Sequence, residues 1–379
     1  MRRSWMGLCL LGLICIAVLA GCSSPKPKPT AQPVKIGAVL ALTGRGATYG
    51  KRAQKGMLLA VDEVNKRAFF KDHPLILVSE DSQSEATGAL SAFRKLIDTD
   101  RVPVAVGFVL SDEVLASAPT ANEREVVLFS TAAGSDKIKD SGDYVFRNRE
   151  SATLQADAVA SACVKRYGLK RVAVLHSNSA NGVSYERSFL SAAKSRGAAI
   201  VADVGYDEGK TDYRAEIQQV KAAHPEGVYL AGLDQELGLV LKQSRELAFN
   251  SRFFASAGAV SQKLLDIAGS GSEGMVCGSA PFDQASPDKH VKAFVAAFQS
   301  RFHEDPDFIA ANSYDAVALL ADAFERGARS GQDLKSALYK VKDYPGVGGQ
   351  TTFDGFGEVS KPIILVEVHG GRFTPLPRD

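Results

Sequence analysis

The sequence is poor in the groups that reactive centres are built from. Its six histidines are scattered through 379 residues, and its five cysteines fall in no metal-ligand spacing, so no metal and no cofactor is expected. There is no G-x-S-x-G elbow and no H-E-x-x-H helix, which leaves hydrolytic chemistry without support. His176, at the end of an expected strand, reads as a polar wall residue rather than a general base. Excess charge is missing too. The 45 basic residues include Arg2 and Arg3 near the start, and the remaining 43 balance 43 acidic ones. A neutral body gives no electrostatic reason to expect nucleic acid or an anionic membrane surface as a partner. The apolar run from Leu8 to Ala20 is too short for a spanning helix.

That run follows Arg2 and Arg3 and ends in Leu19-Ala20-Gly21-Cys22, the layout of a secretory signal over residues 1–21. The ending resembles the lipobox of bacterial lipoproteins. The resemblance implies cleavage before Cys22 and a diacylglycerol on its thiol, so that the exported body is anchored to a bacterial membrane and faces the periplasm or the cell exterior. An ordinary signal peptide with an incidental cysteine is the alternative. Residues 22–33 are polar and proline-rich, an extended tether of roughly 30 Å at about 3.1 Å per residue. Cys9 and Cys15 leave with the signal, so the body keeps only Cys163 and Cys277. One lies on an expected helix and one in an expected strand; they read as buried free thiols, with a single bridge as the alternative.

At about 150 residues per domain the length suggests two domains. From Val34 onward, short β-branched apolar runs alternate with stretches of helical period, the pattern of βα units around a parallel sheet. The first set has strands at 34–42, 75–80, 102–108 and 126–131. Between them run helices Tyr49 to Arg67, Glu85 to Ile97 and Ser111 to Arg124; the first carries Ala53, Met57, Ala60, Val61 and Val64 on one face. The second set has a helix from Leu154 to Tyr167 and strands at 171–177, 199–206, 227–232, 252–257 and 274–280. Its intervening helices are Ser184 to Ser195, Tyr213 to Ala223, Gln235 to Leu247 and Ser261 to Ile267. After Pro281 three helical stretches, Lys289 to Phe302, Ile309 to Arg326 and Asp333 to Val341, lack strands of their own and must cover an existing sheet. Residues 351–373 read as a hairpin with glycine-containing turns.

The body resembles the Leu/Ile/Val-binding protein family of type I periplasmic binding proteins over nearly all of Val34 to Leu376. The likeness rests on IGAVLALTGRGATYGKRAQKGMLLAVDEVN, on VAVGFVLSDEVLASAP followed by LFSTAAGS, on TDYRAEIQQVKAAHPEGVYLAG, on SYDAVALLADA and on the late FDGFGEV with PIILVEVHGGRF. It implies an α/β chain of two doubly wound parallel-sheet lobes joined by a three-crossover hinge, with crossovers near Arg147, Pro281 and Pro345. Lobe 1 is then 34–148 plus 282–344, and lobe 2 is 149–281 plus 345–379. It further implies a monomer that closes over a small-molecule ligand and delivers it to the permease subunits of an ABC importer. A ligand-sensing receptor of the same fold, coupled to a signalling partner, is the alternative.

Doubly wound sheets bind ligands beyond the carboxyl ends of their strands, which directs attention to the loops there. In the family the aromatic after the first strand packs on the ligand, which carries over to Tyr49. Leu110 and Ser111 open the helix after the third strand, where the family serine and its amide bind a ligand carboxylate; free N–H groups and the helix dipole suit an anion, although Ser111 reads equally as an N-cap. After the fourth strand, Ala132 offers the carbonyl that the family uses for the ligand ammonium. The family's hydroxyl falls on Gly134, so that contact is lost unless Ser135 or Thr131 replaces it. The family's second-lobe aromatics fall on Asn181 and Leu233, and the acid that pairs the ammonium falls on Ala257. A buried ammonium without a partner costs several kcal/mol, so these departures point away from a plain branched-chain amino acid and toward an apolar or aromatic carboxylate, or an uncharged amide. Asp234 and Asp207 are the candidates to replace the missing acid, Asp234 reading more readily as a helix cap.

Gly44, Gly46 and Gly50 lie between a strand and a helix, half of a dinucleotide fingerprint, but the spacing is G-x-G-x-x-x-G and bulky Tyr49 stands where a phosphate needs the backbone. A G-x-G-x-x-G at Gly269, Gly271 and Gly274 follows a helix and enters a strand, the reverse of the required context, and reads as a loop.

Overall fold

The computed structural model describes residues 32–377; the signal run and Cys22 lie outside them. The first sheet is built from β1 (Val34–Leu40), β2 (Leu75–Asp81), β3 (Val104–Gly107), β4 (Val127–Ser130) and β5 (Val145–Arg147). Its order is β2-β1-β3-β4-β5, parallel throughout. The last five residues of β1 and all of β3 and β4 are buried, as strands covered on both faces must be, and this is why they read as unbroken apolar runs. The covering helices are α1 (Ala47–Val64), the short α2 (Ala68–Asp72), α3 (Ala86–Asp98) and α4 (Ser111–Arg124). Ala53, Met57, Ala60 and Val64 of α1 recur every three or four residues and are buried.

The second sheet contains β6 (Arg171–Ser177), β7 (Ala199–Tyr206), β8 (Gly227–Ala231), β9 (Arg252–Ala255) and β10 (Val276–Ser279). Helix α5 (Ala152–Ser161) precedes β6, and between the strands lie α6 (Ala180–Ser195), α7 (Arg214–Ala222), α8 (Asp234–Glu246) and α9 (Gln262–Ala268). Helices α10 (Lys289–Phe302), α11 (Phe308–Glu325) and α12 (Gly331–Leu338) follow. Phe294, Phe298, Ile309, Leu320, Leu334 and Leu338 from these three helices are buried in the core of the first sheet. The chain therefore returns to its first half after β10. A Cβ on Gly56 of α1 would lie 2.1 Å from the Ala310 carbonyl of α11, so the missing side chain is what lets these two helices touch.

The last segment holds two hairpins where the sequence suggested one. β11 (Tyr344–Gly346) pairs with β12 (Gly349–Thr351), and β13 (Ile364–His369) pairs with β14 (Arg372–Pro375) through Gly370 and Gly371. β13 adds antiparallel to β10, giving the order β14-β13-β10-β9-β8-β6-β7. The second sheet is thus parallel with an antiparallel edge. Between the hairpins, Phe353 packs edge-on against Phe129 and Phe146 of the first sheet, at 5.7 and 5.4 Å between ring centres.

Three other differences have local causes. The expected helix from Leu154 to Tyr167 ends as a π-helical turn at Ala162–Arg166. Helix α6 begins four residues early because the Ser179 hydroxyl accepts the Gly182 amide at 3.1 Å, a cap that the apolar periodicity does not reveal. β5 is only three residues long and carries Arg147, so it lacked a strand signature. Cys163 and Cys277 are free and buried, as read, and burial pushes the Cys163 thiol up to about 12. Among the described residues no helix is long and apolar enough to cross a membrane.

Candidate ligand-binding cleft

The loops beyond the carboxyl ends of eight parallel strands meet around one cavity. Arg45 and Tyr49 come after β1, Val109 to Asp112 after β3, Ala132 after β4 and Arg149 after β5. From the second sheet come Ser179 and Asn181 after β6, Glu208 after β7, Leu233 after β8 and Gly258 after β9. The enclosed volume is about 20 Å³, near the space of one water. With the rims at this separation the cavity has no room for a solute of several heavy atoms.

Several contacts join the rims. The Tyr49 hydroxyl donates to the Gly258 carbonyl at 2.5 Å. Burial, and next the nearby Asp234, push the Tyr49 phenol well above its usual range, so it remains a donor. Arg45 forms an ion pair with Glu208. Asp112 Oδ1 accepts the Ala180 amide at 3.3 Å, which sets a first-rim carboxylate on the positive end of α6. Asp136 accepts from the hydroxyls of Ser184 and Ser188 at 3.0 and 2.9 Å.

Of the residues singled out in the sequence, Tyr49, Leu110, Ser111, Ala132, Asn181 and Leu233 line the cavity, and Gly134, Ser135 and Ala257 do not. Ser111 accepts the Ser135 amide at 3.1 Å and lies 3.5 Å from Asn181 Oδ1. Ser135 is turned away: its hydroxyl accepts the Lys137 amide at 3.4 Å and caps a 3-10 turn. Thr131 is likewise engaged, by the Ser313 hydroxyl at 2.9 Å. Neither therefore supplies the hydroxyl missing at Gly134. A Cβ on Gly134 would lie 2.9 Å from both Asn181 Oδ1 and the Tyr185 hydroxyl, so the space of the absent side chain is taken from the opposite rim. Ala257 is buried in a 3-10 turn, and its neighbour Gly258 reaches the cavity instead. Asp234 accepts Ser261 at 2.9 Å and Asp207 accepts Asn178 at 2.8 Å; neither lines the cavity. The Gly46 amide, part of the glycine-rich loop, donates to the Ser84 hydroxyl at 3.0 Å rather than facing a phosphate.

Helix α4 presents its first turn to the cavity, and its start is fixed by Glu113. This buried carboxyl accepts the Leu110 amide at 3.2 Å and the Ser82 hydroxyl, and burial pushes it up to about 7.

The residue that sequence reasoning passed over is Arg149. It is 4% exposed, it lines the cavity, and Nη1 donates to the Ala132 carbonyl at 2.5 Å. Nη2 reaches the Tyr185 hydroxyl at 3.1 Å and Gln155 at 3.4 Å, and the guanidinium lies over the Phe308 ring. Nε has no partner, and no carboxylate pairs with Arg149 among the described residues. The signal was present in Phe146-Arg-Asn-Arg-Glu150, where four polar residues directly after an apolar pair are all buried.

Comparison with known proteins agrees with this architecture. The chain is 25% identical over 332 residues to a leucine-, isoleucine-, valine-, threonine- and alanine-binding protein of Pseudomonas aeruginosa, covering 87% of this chain and 88% of the relative. A leucine-binding protein of Thermotoga maritima superposes with a TM-score of 0.85 at 26% identity, covering 91% and 98% of the two chains. A branched-chain amino acid transporter substrate-binding protein of Streptococcus pneumoniae, solved with isoleucine, gives 0.84 at 26% identity, covering 91% and 100%. With residues 33–372 matching its family model, this chain belongs to the periplasmic binding protein family.

Proposed function

We propose that this chain is the capture subunit of an ABC importer and that its solute is a small amphipathic molecule without an ammonium group, either an apolar or aromatic carboxylate or an uncharged amide. The family is one of solute-binding proteins rather than enzymes, and the relatives named above favour transport over a sensing role. The observation that carries the ligand reading is the state of the acids at the cavity. Among the described residues, Asp112 and Glu208 are the acids that line it, and both are engaged, one on α6 and the other with Arg45. The position where the family places its ammonium partner holds Ala257. An amino acid would therefore bury its ammonium without a counter-charge, at a cost of several kcal/mol.

The solute docks on the first rim, at Tyr49 and the first turn of α4, and the second rim closes over it through Asn181 and Leu233. Closure is read by the permease. Lobe 1 is 34–148 with 282–344 and lobe 2 is 149–281 with the C-terminal hairpin, the third crossover spreading over 345–361. Cys22 carries the lipid anchor, and a Cys22→Ser chain is expected in the aqueous phase of a detergent partition, with the parent chain in the detergent phase.

A thermal-shift screen of the body from Val34 against leucine, 4-methylpentanoate, benzoate and their amides tests the ligand. Saturation at a hundred times Kd adds about 2.7 kcal/mol of stability. The compounds lacking an amine are expected to give the large shifts; leucine, isoleucine or valine shifting most would overturn the reading.

A further inference from the structure

We infer that Arg149 is the specificity-determining residue of the cleft and that it selects an anion, so that the solute is a carboxylate and not its amide. The inference rests on the ligand reading above and narrows it. Arg149 supplies a fixed positive charge inside the cavity wall, on the same Ala132 carbonyl that the family resemblance assigns to the ligand ammonium. The positive charge that the resemblance would place on the ligand is thus supplied here by the protein.

A guanidinium has five N–H donors and cannot lose its charge. Three donor contacts are made by Arg149, to Ala132, Tyr185 and Gln155, all neutral oxygens, and Nε makes none. Its neighbour Glu150 is buried as well and is held up by burial; its charge acts on Lys361 first and on Arg149 and Arg147 more weakly, and it bonds no side chain, so it compensates Arg149 only in part. A buried cation in this state is expensive unless a negative group joins it. The cavity beside it also receives Ser111 and the first turn of α4, a second site suited to negative charge. Charge-assisted bonds from the fork to a carboxylate are about twice as strong as neutral ones. The apolar part of the solute then lies against Tyr49, Val109, Leu110 and Leu233.

The experiment compares two matched pairs by calorimetry on the body from Val34: 4-methylpentanoate with its amide, and benzoate with benzamide. For the parent chain we expect the acid of a pair to bind more tightly than its amide. In Arg149→Gln the acid is expected to weaken by roughly a hundredfold, the loss of charged hydrogen bonds, while the amide is held within a few-fold, so that the order inverts. Arg149→Lys keeps the charge without the fork and is expected to fall between. A purely structural arginine would not give this split: its removal would lower the melting temperature of the ligand-free chain and weaken acid and amide alike, whereas we expect a ligand-free melting temperature that is unchanged or higher. Amides binding the parent chain more tightly than acids would overturn the role of Arg149 and leave the amine-free reading intact. An acid bound equally by parent and Arg149→Gln would do the same. Leucine outbinding 4-methylpentanoate on the parent chain would overturn both.

Discussion

The hydroxyl of Tyr49, on α1, bonds the carbonyl of Gly258 across the cleft at 2.5 Å. A phenol offered by one rim and a backbone carbonyl offered by the other meet only when the cleft is shut. The bond therefore favours a rim separation at which the cavity holds about 20 Å³, too little for a solute of several heavy atoms.

Tyr49→Phe isolates that contribution. The ring stays and the apolar wall is kept, but Gly258 loses its donor. A neutral hydrogen bond is worth about 1 kcal/mol net, which is roughly a fivefold change in the closed fraction. Because the bond is made where the cavity has no room for a solute, ligand affinity is expected to rise by up to about fivefold, with the melting temperature of the ligand-free chain little changed. Calorimetry with the best carboxylate from the screen checks this, and an unchanged Kd would show that the bond is not linked to closure.

Much of the architecture was legible because buried parallel strands announce themselves as unbroken apolar runs and amphipathic helices as a 3.6-residue period. The strand starts at Val34, Leu75, Arg171, Ala199, Gly227 and Arg252 coincide with the readings. What escaped depends on partners distant in sequence. β5 is a strand because Leu128 and Ser130 of β4 pair with it, not because Val145-Phe-Arg147 has strand character. The cavity-lining set was readable where a loop position decides it, as at Tyr49, Ser111 and Asn181. It was not where orientation decides it: Ser135 looks inward on paper and caps a turn in space, and Ala257 yields its place to Gly258. Arg149 was invisible because an arginine in a loop normally reads as solvated; only its packing under Phe308 and Tyr185 makes it a wall residue.

Glu113 gives a pH prediction. Burial raises its folded value to about 7 from an ordinary 4.5. A raised carboxyl favours folding fully below the unfolded value, and the advantage is lost as pH rises through the folded one, at about 1.4 kcal/mol for each pH step between the two values. The window is therefore pH 4.5 to 7. Glu113→Gln keeps a carbonyl for the Leu110 amide and removes the titration. The melting temperature of the parent chain is expected to fall more steeply between pH 5 and pH 8 than that of the variant, and parallel curves would refute the assignment.

The two body cysteines should be chemically silent. Burial raises both thiols, Cys163 to about 12, so little reactive thiolate exists at neutral pH. Iodoacetamide at pH 8 is expected to leave the folded body unmodified and to label both sites in urea, read by mass spectrometry. Labelling of the folded chain within minutes would place a thiol at the surface.

Lys361 offers the sharpest stability test. It is buried, its Nζ donates to the Gly348 carbonyl at 3.1 Å, and burial lowers its pKa against the pull of Asp315 and Glu150. Those two acids are also buried; Asp315 accepts the amides of Val347 and Gly348 at 2.8 Å each and is pushed up to about 6. Lys361→Met removes the cation that most opposes the desolvation of Asp315 and of Glu150, which keeps weaker support from Arg149 and Arg147. Breaking a buried charge group by deleting one partner costs about 3–5 kcal/mol, and here the cost depends on pH. Below pH 5 Asp315 of the variant is protonated and needs no partner, whereas at pH 8 it must either ionise unpaired or bind a proton against the solvent. Urea unfolding is expected to show the larger loss at pH 8 and a smaller one at pH 5. An equal loss at both pH values would mean that Lys361 acts through its packing and its bond to Gly348 rather than through its charge.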